Sequence, residues 1–176
     1  MTPLEFIQVR AYAKLHGLFM GLLWIASFAC FVEAQQEPGL SMLFDVTLFM
    51  IPVAGHYSVC FFRDKVLGGT ISFRRAFLFL MMIFFYATLL LALSQWAYFQ
   101  FLDNGTVFSS MISKVNDPQF AELIKAYGMT KDEVLSQLRS LSEVRPIDFA
   151  FSFMWLNIGI SVVMSWMLAL FAKRTM

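Results

Sequence analysis

From Ala76 to Leu102 the chain runs for 27 residues without an Asp, Glu, Lys or Arg. A helix needs about 20 mostly apolar residues to cross the hydrocarbon core of a bilayer, so this stretch alone directs the fold towards a membrane. Three further stretches meet the same test, which predicts helical spans over 15–32, 42–62, 76–102 and 147–172. The third is long enough to tilt or to protrude. Composition agrees: apolar types make up 59% of the 176 residues and charged types 14%, whereas a soluble domain carries about 25% charged residues. The expected fold class is all-α, an integral membrane four-helix bundle forming a single domain.

Orientation follows from where the cations lie. Arg10 and Lys14 precede the first span, Arg63, Lys65, Arg74 and Arg75 separate the second from the third, and Lys173 and Arg174 follow the fourth. These stretches alternate onto one side and contain only Glu5 and Asp64 as acids, while the loop between the first two spans has Glu33 and Glu37 and no cation. The positive-inside rule then puts both termini in the cytoplasm. It also makes 103–146 an extracytoplasmic insert between spans three and four; its mixed charge does not conflict, because the rule weakens with loop length. Val32-Glu33-Ala34 faintly resembles a signal-peptidase site, but the apolar run before it is long and three more spans follow, which favours a retained helix.

Outside the spans the sequence is organised. Thr2-Pro3-Leu4-Glu5 reads as a capped helix start, leading either straight into the first span or along the inner membrane surface. In the insert, Val107, Phe108, Met111, Ile112 and Val115 follow helical spacing, and Asp117-Pro118 opens a second helix closed by Gly128. Thr130-Lys131-Asp132-Glu133 is a capping box for a third. These amphipathic pieces have no large core of their own, so their apolar faces must pack on one another, the spans, lipid or another chain.

Ionisable groups inside a span are costly and therefore candidates for function. On the second span Asp45, Pro52, His56 and Arg63 are spaced by seven, four and seven residues, one stripe at 100° per residue. A proton or cation path could use such a stripe, although Asp45 and His56 are about 16 Å apart along the axis. Asp45 near a helix start and a neutral His56 bonded to a neighbouring span are the plainer readings. Gly17 and Gly21 on span one, and Asn157, Ser161 and Ser165 on span four, are expected helix-packing positions. Arg63, Lys65, Arg74 and Arg75 are either ordinary positive-inside charges or a site for docking a partner protein or lipid headgroup. Cys30 and Cys60 read as small apolar residues near opposite membrane faces. A glycine-rich phosphate loop, paired-histidine metal motif, nucleophile elbow and Cys-x-x-Cys are all missing from the sequence. No catalytic residue, metal or cofactor is therefore expected, and no nucleic-acid partner.

Gly68-Gly69-Thr70-Ile71-Ser72-Phe73-Arg74-Arg75-Ala76-Phe77 leading into the third span, with Pro118-Gln119-Phe120 and Gly128-Met129-Thr130-Lys131-Asp132-Glu133 in the insert, resembles the bacterial membrane family called Domain of Unknown Function 4199. The resemblance extends over nearly the whole chain and implies a bacterial inner-membrane location. It brings no activity and no catalytic residue. It does bring forward a partner class, polyprenyl-phosphate glycosyltransferases. The leading expectation is a non-catalytic membrane subunit or anchor that docks such an enzyme, or a homo-oligomer. The alternative is a small transporter or proton-coupled protein using Asp45 and His56; an enzyme acting on lipids ranks last.

Overall fold

Helix starts in this protein are set by local chemistry. In the computed structural model, which describes residues 2–174, Thr2 Oγ1 accepts from the Glu5 backbone N–H at 3.3 Å while the Thr2 N–H donates to the Glu5 carboxylate at 2.7 Å. Both arms of the capping box thus form, with Pro3 in the first turn. Nothing breaks the helix before Glu33, so the amphipathic start and the first span are one rod, α1 (Pro3–Glu33). At 1.5 Å per residue it is about 46 Å long, more than the roughly 30 Å hydrocarbon core.

A 3₁₀ turn, Pro38–Leu40, reverses the chain into α2 (Ser41–Phe61), which continues through a π turn, Phe62–Val66. Gly68 and Gly69, at φ of 71° and 97°, make a turn that side chains would strain, and α3 (Phe73–Phe101) follows. The insert holds α4 (Thr106–Lys114), α5 (Pro118–Ala126) and α6 (Lys131–Ser142), the last with a complete Thr130–Glu133 capping box. The chain ends in α7 (Pro146–Ala172). No strand occurs among the described residues, only an isolated antiparallel bridge between Ile71 and Arg174.

Four of these helices, α1, α2 with its π turn, α3 and α7, are long and apolar enough to cross a membrane. They form an all-α membrane bundle in which α1 and α3 are the closest pair. These two run parallel: Gly17 faces Ile83 and Tyr86, and Gly21 faces Ala87 and Leu90. Small residues allow such backbone approach where no hydrophobic drive separates helix from lipid. On the far side of α3 sits α7, whose buried residues are all small: Ala150, Ser161, Ser165, Ala169 and Ala172. The second span lies against α1. Large apolar side chains such as Phe19, Val53, Leu93 and Val163 point away from the bundle and form its lipid-facing surface.

The two ends differ. At the basic end, Phe62 and Phe79 stack with centroids 4.3 Å apart among fully buried Val9, Ala13 and Ala76. At the insert end, α4 packs on α6, and Phe149 of α7 meets Phe99 of α3 at 4.7 Å and Phe108 of α4 at 5.7 Å. Lys114 Nζ donates to Gln35 Oε1 at 3.1 Å, tying α4 to the turn after α1.

Candidate functional site

The sequence concentrates its cations at the basic end of the bundle. Arg63 does not stand at the surface. Its side chain is only 7% exposed, donates through Nη1 to the Ala172 carbonyl at 3.0 Å and holds both Asp64 oxygens, at 2.7 and 2.9 Å. Carbonyls in the last turn of a helix lack intrahelical donors and carry partial negative charge, so a guanidinium there caps α7. The bridge between Ile71 and Arg174, with backbone bonds of 3.0 and 3.2 Å, closes the same junction. Arg63 therefore drops out of the docking set expected from the sequence. Arg63 continues the buried face of α2, after Gly55 and Val59 at four-residue steps.

Arg75 is engaged too: it donates to Glu5 at 3.2 Å and to Gln8 Oε1 at 2.7 Å, locking the start of α1 to α3. Its guanidinium carbon lies 5.8 Å from the centroid of the Phe62 ring, within cation–π reach. Lys65 and Arg74 are the members of the set left exposed.

The expected stripe on α2 divides. Asp45 and His56 are both exposed on the outside of the bundle, with His56 Nε2 3.5 Å from Cys60 Sγ one turn away. Pro52 between them is part-buried and lines a cavity between α2 and α7. No continuous polar path joins Asp45 to His56 through the bundle. The histidine that does bridge two spans is His16. Its Nδ1 is 3.1 Å from Ser58 Oγ on α2, and its ring packs on Phe61 and Phe79. The three-residue spacing of Ser58 from the Gly55 contact was the available sequence signal, but it names no partner.

On α7, Ser161 donates to the Asn157 carbonyl of its own helix at 2.6 Å, and Ser165 is fully buried. Asn157 is part-buried and faces the cavity. Gly17 and Gly21 have no room for a side chain against α3. Among the described residues no cluster of three His, Cys, Asp or Glu side chains could hold a metal ion.

The cavity itself was not foreseen. It has a volume of about 670 Å³ in the insert half of the bundle, within the roughly 300–1,000 Å³ of ordinary ligand pockets. Its back wall is α1 and α3, its sides are α2 and α7, and α4 and α6 roof it. Gly55 lets α2 close on Leu168 of α7 and Phe84 of α3 nearer the basic end. Beyond that contact α2 and α7 border the cavity, with Phe49 and Ile160 on its exposed rim.

In the insert, the Thr130 backbone N–H holds the Glu133 carboxyl below its usual range, assisted by the Thr130 hydroxyl. This is helix-start chemistry, not a reactive site.

A family model matches residues 15–174, which takes in α2 to α7 and most of α1. The chain belongs to the family described as Protein of unknown function (DUF4199). Comparisons with curated proteins and with solved structures find no match. Within this DUF4199 chain, the segment from Gly68 to Phe77 is the glycine turn and the start of α3, and Gly128, at φ 70°, is the turn between α5 and α6.

Proposed function

We propose that this DUF4199 protein is a non-catalytic subunit of the bacterial inner membrane that seats a partner protein against its second span. The observation that carries the reading is the outward exposure of Asp45 and His56 on α2. Ionisable side chains within a span ordinarily face protein or a wet cavity, so an outward pair calls for a covering surface. Exposed Lys65 and Arg74, at the basic ends of α2 and α3, add cations at the membrane boundary. With the basic end in the cytoplasm, as the positive-inside rule has it, these cations face anionic headgroups and any cytoplasmic part of the partner. A transferase acting on polyprenyl phosphates is the partner class that the family resemblance brings forward. Proton-coupled transport along the stripe has less support, since Asp45 and His56 lie outside the bundle.

Purification in a mild detergent followed by mass spectrometry tests the reading. The wild-type chain should carry a stoichiometric partner, and a Lys65→Glu/Arg74→Glu variant should lose it without a change in thermal unfolding. A partner retained by the double variant, or a wild-type chain that purifies alone, rejects the proposal.

A further inference from the structure

A second hollow lies between α1 and α3 at the basic end, on the flank turned away from α2. His16 is the α1 residue that meets α2, and Arg10, six residues earlier, points about 120° round the helix from it. On that flank Phe6 and Arg10 of α1 face Leu78, Met81, Met82 and Phe85 of α3 across a groove of about 400 Å³. It ends at Tyr86, where Gly17 brings α1 onto α3. Leu78 and Tyr86 are about 12 Å apart along the helix axis, close to one leaflet's share of the roughly 30 Å hydrocarbon core. Phe6, Arg10 and Phe85 are exposed, so the groove opens towards lipid.

Charge selects what fits there. Among the described residues the Arg10 guanidinium has neither an ion pair nor a hydrogen bond. No carboxylate is at hand to meet it. Helix α3 contains no Asp or Glu, and the acid at the start of α1, Glu5, is held by Thr2 and Arg75. Lys14, one turn after Arg10, is a second exposed cation on α1. Helical side chains lean towards the N-terminus, and α1 begins at the basic end. Both cations therefore reach towards the membrane boundary, while the apolar groove runs on towards the interior. That polarity matches an anionic amphiphile with its chain directed inward. A guanidinium presents a planar fork of donors that fits two phosphate oxygens. A zwitterionic headgroup would bring a cation of its own, for which the groove has no acid. Basic hollows between spans are a general seat for anionic headgroups.

We propose that the α1–α3 groove binds one anionic phospholipid from the leaflet on the basic side. Its phosphate rests on Arg10, with Lys14 adding charge, and one acyl chain lies along Leu78, Met81, Met82 and Phe85. The site is separate from the outward face of α2 and does not depend on the partner proposed there.

Native mass spectrometry of the full chain in detergent tests this, with phosphatidylglycerol and phosphatidylcholine of identical acyl chains as probes. One phosphatidylglycerol should bind roughly five-fold more tightly than phosphatidylcholine, the worth of one cation near a membrane surface. Arg10→Gln should remove most of that preference and leave phosphatidylcholine binding unchanged. Lys173→Gln, which removes a cation from the same end of the bundle but outside the groove, should keep it. Met81→Trp should weaken both lipids by filling the groove; Leu78→Trp serves if that variant does not fold. Soluble glycerol phosphate, the same anion without a chain, should not compete. Equal affinity for the two lipids overturns the proposal. So does a preference that Lys173→Gln lowers as much as Arg10→Gln, since the attraction is then diffuse charge at the basic end. Competition by glycerol phosphate at comparable concentration also overturns it, and assigns Arg10 to a free anion.

Discussion

Replacing Gly17 by alanine should separate α1 from α3, and the structure allows the cost to be bounded. A Cβ built at Gly17 would lie 2.7 Å from Tyr86 Cβ and 3.1 Å from the Ile83 carbonyl oxygen. Neither atom can turn aside by a rotamer change, so the helices must move apart. At Gly21 the nearest atom, 2.6 Å away, is Leu90 Cδ1, the mobile end of a side chain, although Leu90 Cβ stands at 3.1 Å. At Gly159 on α7 nothing lies within 4 Å. Overpacking a tight interface costs about 1–3 kcal/mol, and between spans there is no hydrophobic drive to compensate for lost contact. Gly17→Ala should sit in the upper half of that range and Gly21→Ala in the lower. Gly159→Ala should be neutral or gain up to about 1 kcal/mol from helix propensity. Thermal unfolding of the three variants in one detergent, followed by circular dichroism, gives the order directly. A Gly17→Ala protein as stable as Gly159→Ala would refute the close α1–α3 approach.

Arg63→Met should cost about 1.5–3 kcal/mol, the worth of hydrogen bonds to a charged group, and should expose the bond after Lys173 to trypsin, read by mass spectrometry of limited digests. Glu133 has its folded pKa below its ordinary value of 4.5. Its contribution is therefore complete above the unfolded value and lost as pH falls through the folded one. Protection of the amides at the start of α6, relative to the intrinsic exchange rate at each pH, should fall on acidification below pH 4.5, and Glu133→Gln should flatten that dependence. With Cys30 and Cys60 replaced by serine, a cysteine at Ser136 should react with an impermeant maleimide on intact cells and one at Lys65 only after lysis. The opposite pattern would invert the proposed orientation.

Features that depend on neighbours in the chain were legible in the sequence. The Thr2 and Thr130 capping boxes each need only four residues, and both form. The spans were legible because hydropathy over one helix length is a local sum. Arg63 was placed at the surface because its partner, the Ala172 carbonyl, lies 109 residues away in the chain. The His16–Ser58 contact was not legible because the two residues lie 42 apart in the chain. The cavity was invisible for a related reason. Its lining residues come from six helices. Whether they face a neighbour or a void depends on where α2 and α7 meet, a distance between helices that no single helix encodes.

The most direct test of the account places a photoreactive amino acid at His56 and irradiates the protein in its native membrane. The outward face of α2 is the surface on which the partner is proposed to sit, so a discrete protein adduct should form at position 56. The same probe at Trp166, on the exposed surface of α7, should form none. Lipid adducts alone at both positions would contradict the claim that α2 docks a partner.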